Sequence, residues 1–280
     1  MRRNFCVTFI VDDYMKSNFL YSPLEAETSF FSTGAGGFLL EIACFDVTSA
    51  IKAAGAGADR IELCDNAAEG GTTPSYGILK SIKEAITTIP VFPIIRPRGG
   101  DFLYSEEEYK TMLYDVQACK DLGFSGVVLG LLTNMGTVDI KRTEQLVKAA
   151  GNMQVTFHRA FDRTANPFNA LEAIIYCGCK RILTSGQVPN AYNGKDLIKE
   201  LTEQAENRII IMPGSGVRSS NIAELATYTG ATELHSSARK MQPSAMLFTK
   251  ESMKETLDCV SVDEAEIRKM KMALPNIAVK

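Results

Sequence analysis

The chain has 280 residues, of which 45% are hydrophobic and 22% are charged, and its formal net charge at pH 7 is −3. This composition is ordinary for a globular protein, and so small a net charge argues against nucleic acid or an anionic membrane surface as a partner. No apolar run approaches the roughly 20 residues of a membrane-spanning helix, so we expect no membrane partner.

The first 36 residues differ from the rest of the chain. They contain one short apolar run, then mixed polar and aromatic residues, then a glycine-rich break at 34–37. They lack the continuous apolar stretch and the small-residue cleavage site of a signal peptide. We predict an extension over 1–36 that is poorly ordered or peripheral, followed by a single domain over 37–280.

From Phe38 onward, short apolar segments of β type alternate with helical segments, which predicts a parallel sheet built from β–α units. The predicted strands are Phe38–Ala43, Arg60–Cys64, Val91–Arg96, Gly126–Leu131, Gln154–Arg159, Arg181–Ser185, Arg208–Met212 and Glu233–Ser236. The predicted helices are Val47–Ala56, Tyr76–Ala85, Glu106–Leu122, Ile140–Ala149, Phe168–Cys177, Lys195–Ala205, Ser220–Tyr228 and Val262–Ala273.

Eight strands, each followed by a helix, favour an α/β fold that closes into a (β/α)8 TIM barrel. An open, doubly wound sheet is the alternative, and the lack of G-x-G-x-x-G after the first strand weakens it. The last connection, from Ala238 to Ser261, is long and contains three methionines. It is either a lid or a packed surface loop.

Charged and imidazole side chains occur near the C-terminal ends of the predicted strands, where barrel enzymes hold their sites. A carboxylate on the helix-facing side of a strand would be buried against apolar groups, so Glu41 is expected in the lumen. The same argument gives a set of candidate catalytic residues: Glu41, Glu62, Arg96, His158 and His235. The alternative is a salt-bridge network that fills the barrel, with Arg60 and Arg96 neutralising the two glutamates.

The loops above these residues are polar and rich in glycine. In many barrels the loops after strands seven and eight bind phosphate through backbone N–H groups and a helix N-terminus. We therefore predict an anion site, although the glycines could simply form tight turns. The expected ligand-binding residues are Arg98, Asp101, Arg159, Ser185, Gly214, Ser215, Gly216 and Ser236.

The seven cysteines are scattered through the chain. Their odd number favours reduced thiols in the cytoplasm over a disulfide framework. Cys64 lies at the barrel mouth and Cys44 directly follows the first strand, so the two thiols are candidate ligands for a soft ion such as Cu(I). They could equally be small buried hydrophobic residues. The pair Cys177 and Cys179 precedes strand six on the opposite, N-terminal face, which argues against a metal site there.

Several motifs resemble the copper homeostasis protein CutC family. They are Leu40-Glu41, Ala58–Cys64 (ADRIELC), Ile95–Tyr104 (IRPRGGDFLY), Thr156–Asp162 (TFHRAFD), Arg181–Gly186 (RILTSG) and Met212–Gly216 (MPGSG). The resemblance runs from about Phe38 to Arg239. It implies a cytoplasmic (β/α)8 barrel linked to copper handling, with Cu(I) bound in some members and homodimers in others.

One position departs from the family pattern. Relatives often have a cysteine two residues after the Glu41 position, where this chain has Ala43 and places Cys44 one residue later. Because side chains alternate along a strand, that shift turns the thiol to the opposite face unless the strand ends first. This departure from the pattern argues against a copper site formed by Cys44 and Cys64.

Two functions remain open from the sequence. The first is copper homeostasis through Cu(I) binding. The second is an enzyme acting on a small anionic or phosphorylated metabolite. In that enzyme Glu41 or Glu62 would be the general base, His158 or His235 the general acid, and Arg96 the anion clamp. A non-catalytic scaffold would leave the polar mouth unexplained.

Overall fold

The computed structural model describes residues 37–274, and the predicted extension over 1–36 lies outside the described residues. The barrel strands are β1 (Leu39–Cys44), β2 (Arg60–Leu63), β3 (Val91–Pro93), β4 (Gly126–Leu129), β5 (Gln154–Phe157), β6 (Arg181–Thr184), β7 (Ile210–Pro213) and β8 (Glu233–Ser236). The helices are α1 (Val47–Gly55), α2 (Tyr76–Ala85), α3 (Glu106–Asp121), α4 (Ile140–Ala150), α5 (Pro167–Tyr176), α6 (Lys195–Ala205), α7 (Ile222–Thr229) and α8 (Glu264–Ala273).

The strands pair in parallel in two groups, in the orders β3-β2-β1-β8 and β4-β5-β6-β7. A bridge between Ile94 and Val128 joins the β3 side to the β4 side, and β7 lies beside β8. The prediction of a (β/α)8 barrel is thus confirmed. In the register of β1, Glu41 lies opposite both Arg60 of β2 and His235 of β8, which brings three charged or titratable side chains together.

The local sequence explains where the helices begin and which face they bury. Ser105 and Glu108 form a capping box at the start of α3, and Asn166 caps α5 immediately before Pro167. Helix α3 buries residues spaced three or four apart on its barrel side, namely Tyr109, Met112, Val116 and Cys119. These faces cover the outside of the strands and leave the lumen to the side chains of the opposite strand face.

Several strands end earlier than predicted. Strand β3 ends at Pro93 rather than Arg96, and β5 ends at Phe157 rather than Arg159. Beyond β3, the N–H of Arg96 donates to the Thr73 hydroxyl at 2.9 Å. Beyond β5, His158 caps a 3-10 turn over Arg159–Arg163. Backbone bonds to the neighbouring strands continue through Ile95 and His158, and the N–H groups of Arg96 and Ala160 then donate to side chains instead.

The long last connection contains an antiparallel hairpin of β9 (Arg239–Gln242) and β10 (Cys259–Val262). Helix α8 therefore begins at Glu264 rather than at the predicted Val262, which belongs to the hairpin. Within residues 37–274, none of the helices has both the length and the apolar character needed to cross a membrane.

Candidate functional site

A layer of buried charges fills the lumen behind the barrel mouth. Arg60 donates to Glu41 Oε2 and to Glu233 Oε2, each at 2.5 Å, and Arg181 Nε donates to Glu233 Oε2 at 3.0 Å. The two guanidinium groups lie 5.0 and 5.4 Å from the centre of the Phe92 ring. Two carboxylates thus neutralise two guanidiniums. In this layer the contacts are those of a salt-bridge network that fills the barrel, which was the alternative left open by the sequence.

The side chain of His235 lies between two glutamates. Its Nδ1 is 2.7 Å from Glu41 Oε1, and its Nε2 is 3.7 Å from Glu62 Oε2. Burial alone would raise the pKa of Glu41, but the Arg60 charge and the contact with His235 outweigh it and hold that pKa at about 2. Ionised Glu41 therefore accepts the Nδ1–H and leaves His235 Nε2 directed toward Glu62.

The surroundings of Glu62 and His235 raise the pKa of both groups. Burial, together with the Glu41 charge, raises the pKa of Glu62 to about 7 against the opposing charge of His235. Burial would lower the pKa of His235, but the hydrogen bond to Glu41 and the charges of the two glutamates raise it. The pair can therefore give or take a proton near neutral pH, which is what acid–base chemistry requires.

A cavity of about 540 Å³ opens above this pair. Glu62, His158, His235, Arg96, Arg159, Ser215, Gly216 and Ser236, all predicted from the sequence, line it. Its wall also contains residues that the sequence reasoning missed, among them Phe102, Asp162, Arg163, Arg218 and Arg239. Glu41 lies behind the wall, where it contacts His235 rather than the open space.

The imidazole of His158 is held in one neutral form. Its Nδ1 accepts a hydrogen bond from the N–H of Ala160 at 3.2 Å, which places the ring proton on Nε2. Burial and the charge of Arg96 lower the pKa of His158 to about 3. Nε2 is buried and has no hydrogen-bond partner among the described residues. His158 thus lines the cavity with a buried, unpaired Nε2–H, and an imidazole that stays neutral at pH 7 is a poor general acid.

The Arg96 side chain holds the loops together. It donates to the backbone carbonyls of Glu69, Gly71 and Gly100 at 2.6, 2.8 and 2.9 Å. The alternative in which Arg96 neutralises a glutamate does not match these contacts, because its terminal nitrogens bind the three carbonyls instead. The same contacts argue against the anion clamp. Its Nε is buried without a partner among the described residues and resembles His158 Nε2 in that respect.

Four expected ligand-binding residues lie outside the cavity wall: Arg98, Asp101, Ser185 and Gly214. Arg98 pairs with Glu108 and Asp101 in the loop after β3. Gly214 is a packing position, since a Cβ there would lie 2.4 Å from Leu183 Cδ1. That these four residues contact a ligand stays a prediction.

Asp162 organises the loops after β5 and β6. Its carboxylate accepts hydrogen bonds from the Ser185 N–H and hydroxyl, the Thr184 hydroxyl and Arg159 Nε. Ser185 therefore acts indirectly, by fixing Asp162. No periodicity in the sequence marks Asp162, although it closes the TFHRAFD motif.

The two candidate copper ligands face opposite sides of the sheet. Cys44 packs in the outer core with Leu40 and Ile42, whereas Cys64 packs inside the barrel with Phe92 and Ile94. Burial raises the pKa of both thiols well above the usual value. This arrangement argues against a Cu(I) site shared by the two thiols, which stays a prediction. Over 37–274, no three His, Cys, Asp or Glu side chains are grouped so that they could hold a metal ion.

A family model for the CutC family matches residues 38–240. The chain belongs to the CutC family. A CutC family protein from Chromobacterium violaceum is 52% identical over 210 residues, covering 75% of this chain and 85% of the relative. Every residue that lines the cavity falls within the region matched by the CutC model, so the cavity belongs to the family domain.

Solved structures agree with the CutC assignment. The crystal structure of a Streptococcus agalactiae CutC, named for copper homeostasis, has a TM-score of 0.69 and 34% identity, covering 71% of this chain and 98% of that one. An aldolase, QR15, matches with a TM-score of 0.54 and 13% identity over 70% of this chain and 89% of its own. The aldolase shares the fold alone.

Proposed function

We propose that the cavity is an active site at which a small anionic metabolite undergoes general acid–base chemistry. The observation that carries this proposal is His235 between Glu41 and Glu62. Glu41 orients the ring through Nδ1, while Nε2 and Glu62 exchange a proton with the substrate. Glu62 lines the cavity and has no guanidinium partner among the described residues, so a space-filling salt bridge does not account for it.

The charges on the cavity wall favour an anionic ligand. The basic residues of the wall are Arg96, Arg159, Arg163, Arg218 and Arg239. The acidic ones are Glu62, Glu69 and Asp162. The excess of arginine gives the opening a positive potential, although the chain as a whole is slightly acidic. Guanidinium groups suit carboxylate and phosphate oxygens.

We expect thermal unfolding to shift upward when inorganic phosphate, sulfate or ribose 5-phosphate is added at millimolar concentration. A ligand at about 100 times its Kd stabilises the folded state by about 2.7 kcal/mol. Arg218→Gln should reduce the shift, because Arg218 lines the cavity. Differential scanning calorimetry measures the effect.

The matched control is Arg208→Gln, since Arg208 pairs with Glu172 on the surface away from the cavity. This variant should show the same ligand-dependent shift as the wild-type protein. Anion-independent unfolding of the wild-type protein, or an undiminished shift in Arg218→Gln, would contradict the anion site.

We also propose that the protein serves copper homeostasis in the cytoplasm, with Cu(I) as cargo. Membership of the CutC family and the name of the Streptococcus agalactiae relative support this role. Among the described thiols, Cys64 alone packs beside the inner residues Phe92, Ile94 and Val128. Thiolate is the preferred soft ligand of Cu(I), and binding would have to displace the thiol proton.

If Cys64 binds the cargo, Cys64→Ser should lower Cu(I) affinity by about 10-fold or more, because serine offers no soft ligand. Cys177→Ser and Cys179→Ser are the controls, since these buried thiols lie at the other end of the barrel, before β6. Competition with a chromophoric Cu(I) chelator measures the affinities. Equal losses in all three variants, or no Cu(I) binding by the wild-type protein, would reject Cys64 as the ligand.

A further inference from the structure

We infer that the substrate is a phosphorylated carbonyl compound, and that His158 donates its Nε2–H to the carbonyl oxygen while the site enolises the substrate. This inference rests on the proposed active site and names its substrate class and reaction. Four features of the described residues carry it: the fixed tautomer of His158, a second unpaired donor, unpaired loop N–H groups and an adjacent carboxylate.

The position of His158 is fixed on three sides. The Ala160 N–H occupies Nδ1, and Phe102 packs against the ring with centroids 5.0 Å apart. On a third side, Gly130 leaves no room for a side chain, since a Cβ there would lie 2.6 Å from His158 Nδ1. A neutral imidazole held in this way can donate its N–H to a carbonyl oxygen and polarise the carbonyl without any change in its own protonation state.

An unpaired buried donor is destabilising, because it has given up its hydrogen bond to water without gaining another. The structure has two of them on this cavity wall, His158 Nε2 and Arg96 Nε, which are buried without partners among the described residues. Both are donors, and neither makes a hydrogen bond to another described residue. Two such donors on one cavity wall suit an oxygen that gains negative charge during the reaction.

The loop after β7 offers a place for phosphate. The N–H groups of Ser215, Gly216 and Val217 make no hydrogen bond within residues 37–274, and all three residues line the cavity. Arg218 and Arg239 line the same wall. A phosphate monoester can accept hydrogen bonds from several N–H groups and arginines at once. It therefore fits this loop better than a single carboxylate group does.

The proposed step balances as a proton transfer. Glu62 takes a proton from the carbon next to the carbonyl, and the C–H bond breaks. Its electron pair forms the C=C bond of the enolate, while the C=O π electrons move to the oxygen that His158 and Arg96 contact. The proton then returns from Glu62 to carbon. Alternatively, His235 passes a proton to the oxygen and then takes the proton held by Glu62, which restores both side chains.

The test compares two ligands by isothermal titration calorimetry at pH 7.5. Phosphoglycolohydroxamate resembles the enolised substrate, whereas glycerol 3-phosphate carries the same phosphate without the planar oxygen pair. The wild-type protein should bind the hydroxamate about 10-fold or more tightly. In His158→Phe this preference should vanish, while the affinity for glycerol 3-phosphate changes less than about two-fold.

Imidazole 15N NMR of the wild-type protein gives a second readout that needs no variant. The Nε2–H form of His158 should persist from pH 5 to 9, and its signal should shift with the hydroxamate but not with glycerol 3-phosphate. Equal affinity of the wild-type protein for both ligands would overturn the carbonyl assignment and leave the anion site standing. Binding of neither ligand would overturn the proposed active site as well.

Discussion

Glu233→Gln should destabilise the protein by about 3–5 kcal/mol, because it breaks a fully buried ion-pair layer by removing one partner. Arg60 and Arg181 both donate to the Glu233 carboxylate, and each arginine is less than 5% exposed. Glutamine has the same shape but no charge. Arg60 would still pair with ionised Glu41, whereas Arg181 would be left with neutral acceptors only, the amide oxygens of Gln154 and of the introduced glutamine.

Urea unfolding of the wild-type protein and of Glu233→Gln measures the loss of stability. The slope of the free energy of unfolding against urea concentration should stay unchanged, as two-state behaviour requires. Glu172→Gln is the control, since Glu172 pairs with Arg208 at the surface and both side chains are at least 40% exposed. Its cost should stay below about 1 kcal/mol. If Glu233→Gln also cost less than about 1 kcal/mol, the inner layer would be hydrated or able to rearrange, and its role in stability would be minor.

Most of the fold could be predicted from the sequence. Strong alternation of apolar β segments and helical segments predicted every β–α unit, and the barrel follows from their number. The hairpin of β9 and β10 was missed, because Arg239–Gln242 is mostly polar and exposed and pairs only with the distant Cys259–Val262. Such a pairing leaves no local periodicity to detect.

Side-chain alternation placed Glu41, Glu62 and His235 on the lumen side of their strands, but it could not say which charges pair. Arg60 and Arg96 were equal candidates as partners of the glutamates. The register of β1 and β2 puts Arg60 opposite Glu41, whereas Arg96 lies beyond the end of β3 and reaches loop carbonyls. Register depends on the closed barrel, so the distinction becomes visible only in three dimensions.

The lumen is therefore divided into two levels with different chemistry. The inner level balances its charges, with Glu41 and Glu233 against Arg60 and Arg181. The outer level leaves groups uncompensated, most clearly the Glu62 carboxyl on the cavity wall. Proteins retain such groups where they serve function at the expense of stability.

Glu62→Gln should be more stable than the wild-type protein above pH 7, by about 3 kcal/mol, and equally stable near pH 4. The ordinary carboxyl pKa of 4.5 describes the unfolded chain, and burial raises the folded value to about 7. Below both values the side chain is protonated in either state. As pH rises between them, the unfolded chain loses its proton first, so the stability of the wild-type protein falls until the folded carboxyl ionises.

Four groups face Glu62 and shape this titration: His235, Glu41, Arg60 and Cys64. His235 has a raised pKa and titrates with Glu62 as a pair, so the transition is broad rather than that of one isolated carboxyl. Urea unfolding at intervals from pH 4 to 9 measures the difference between the two proteins. The control is Glu144→Gln, at the surface beside Lys148. Its free energy of unfolding should change with pH in parallel with that of the wild-type protein. A Glu62→Gln variant that is less stable than wild type at pH 8 would show that the Glu62 carboxylate stabilises the barrel, and the division into two levels would fail.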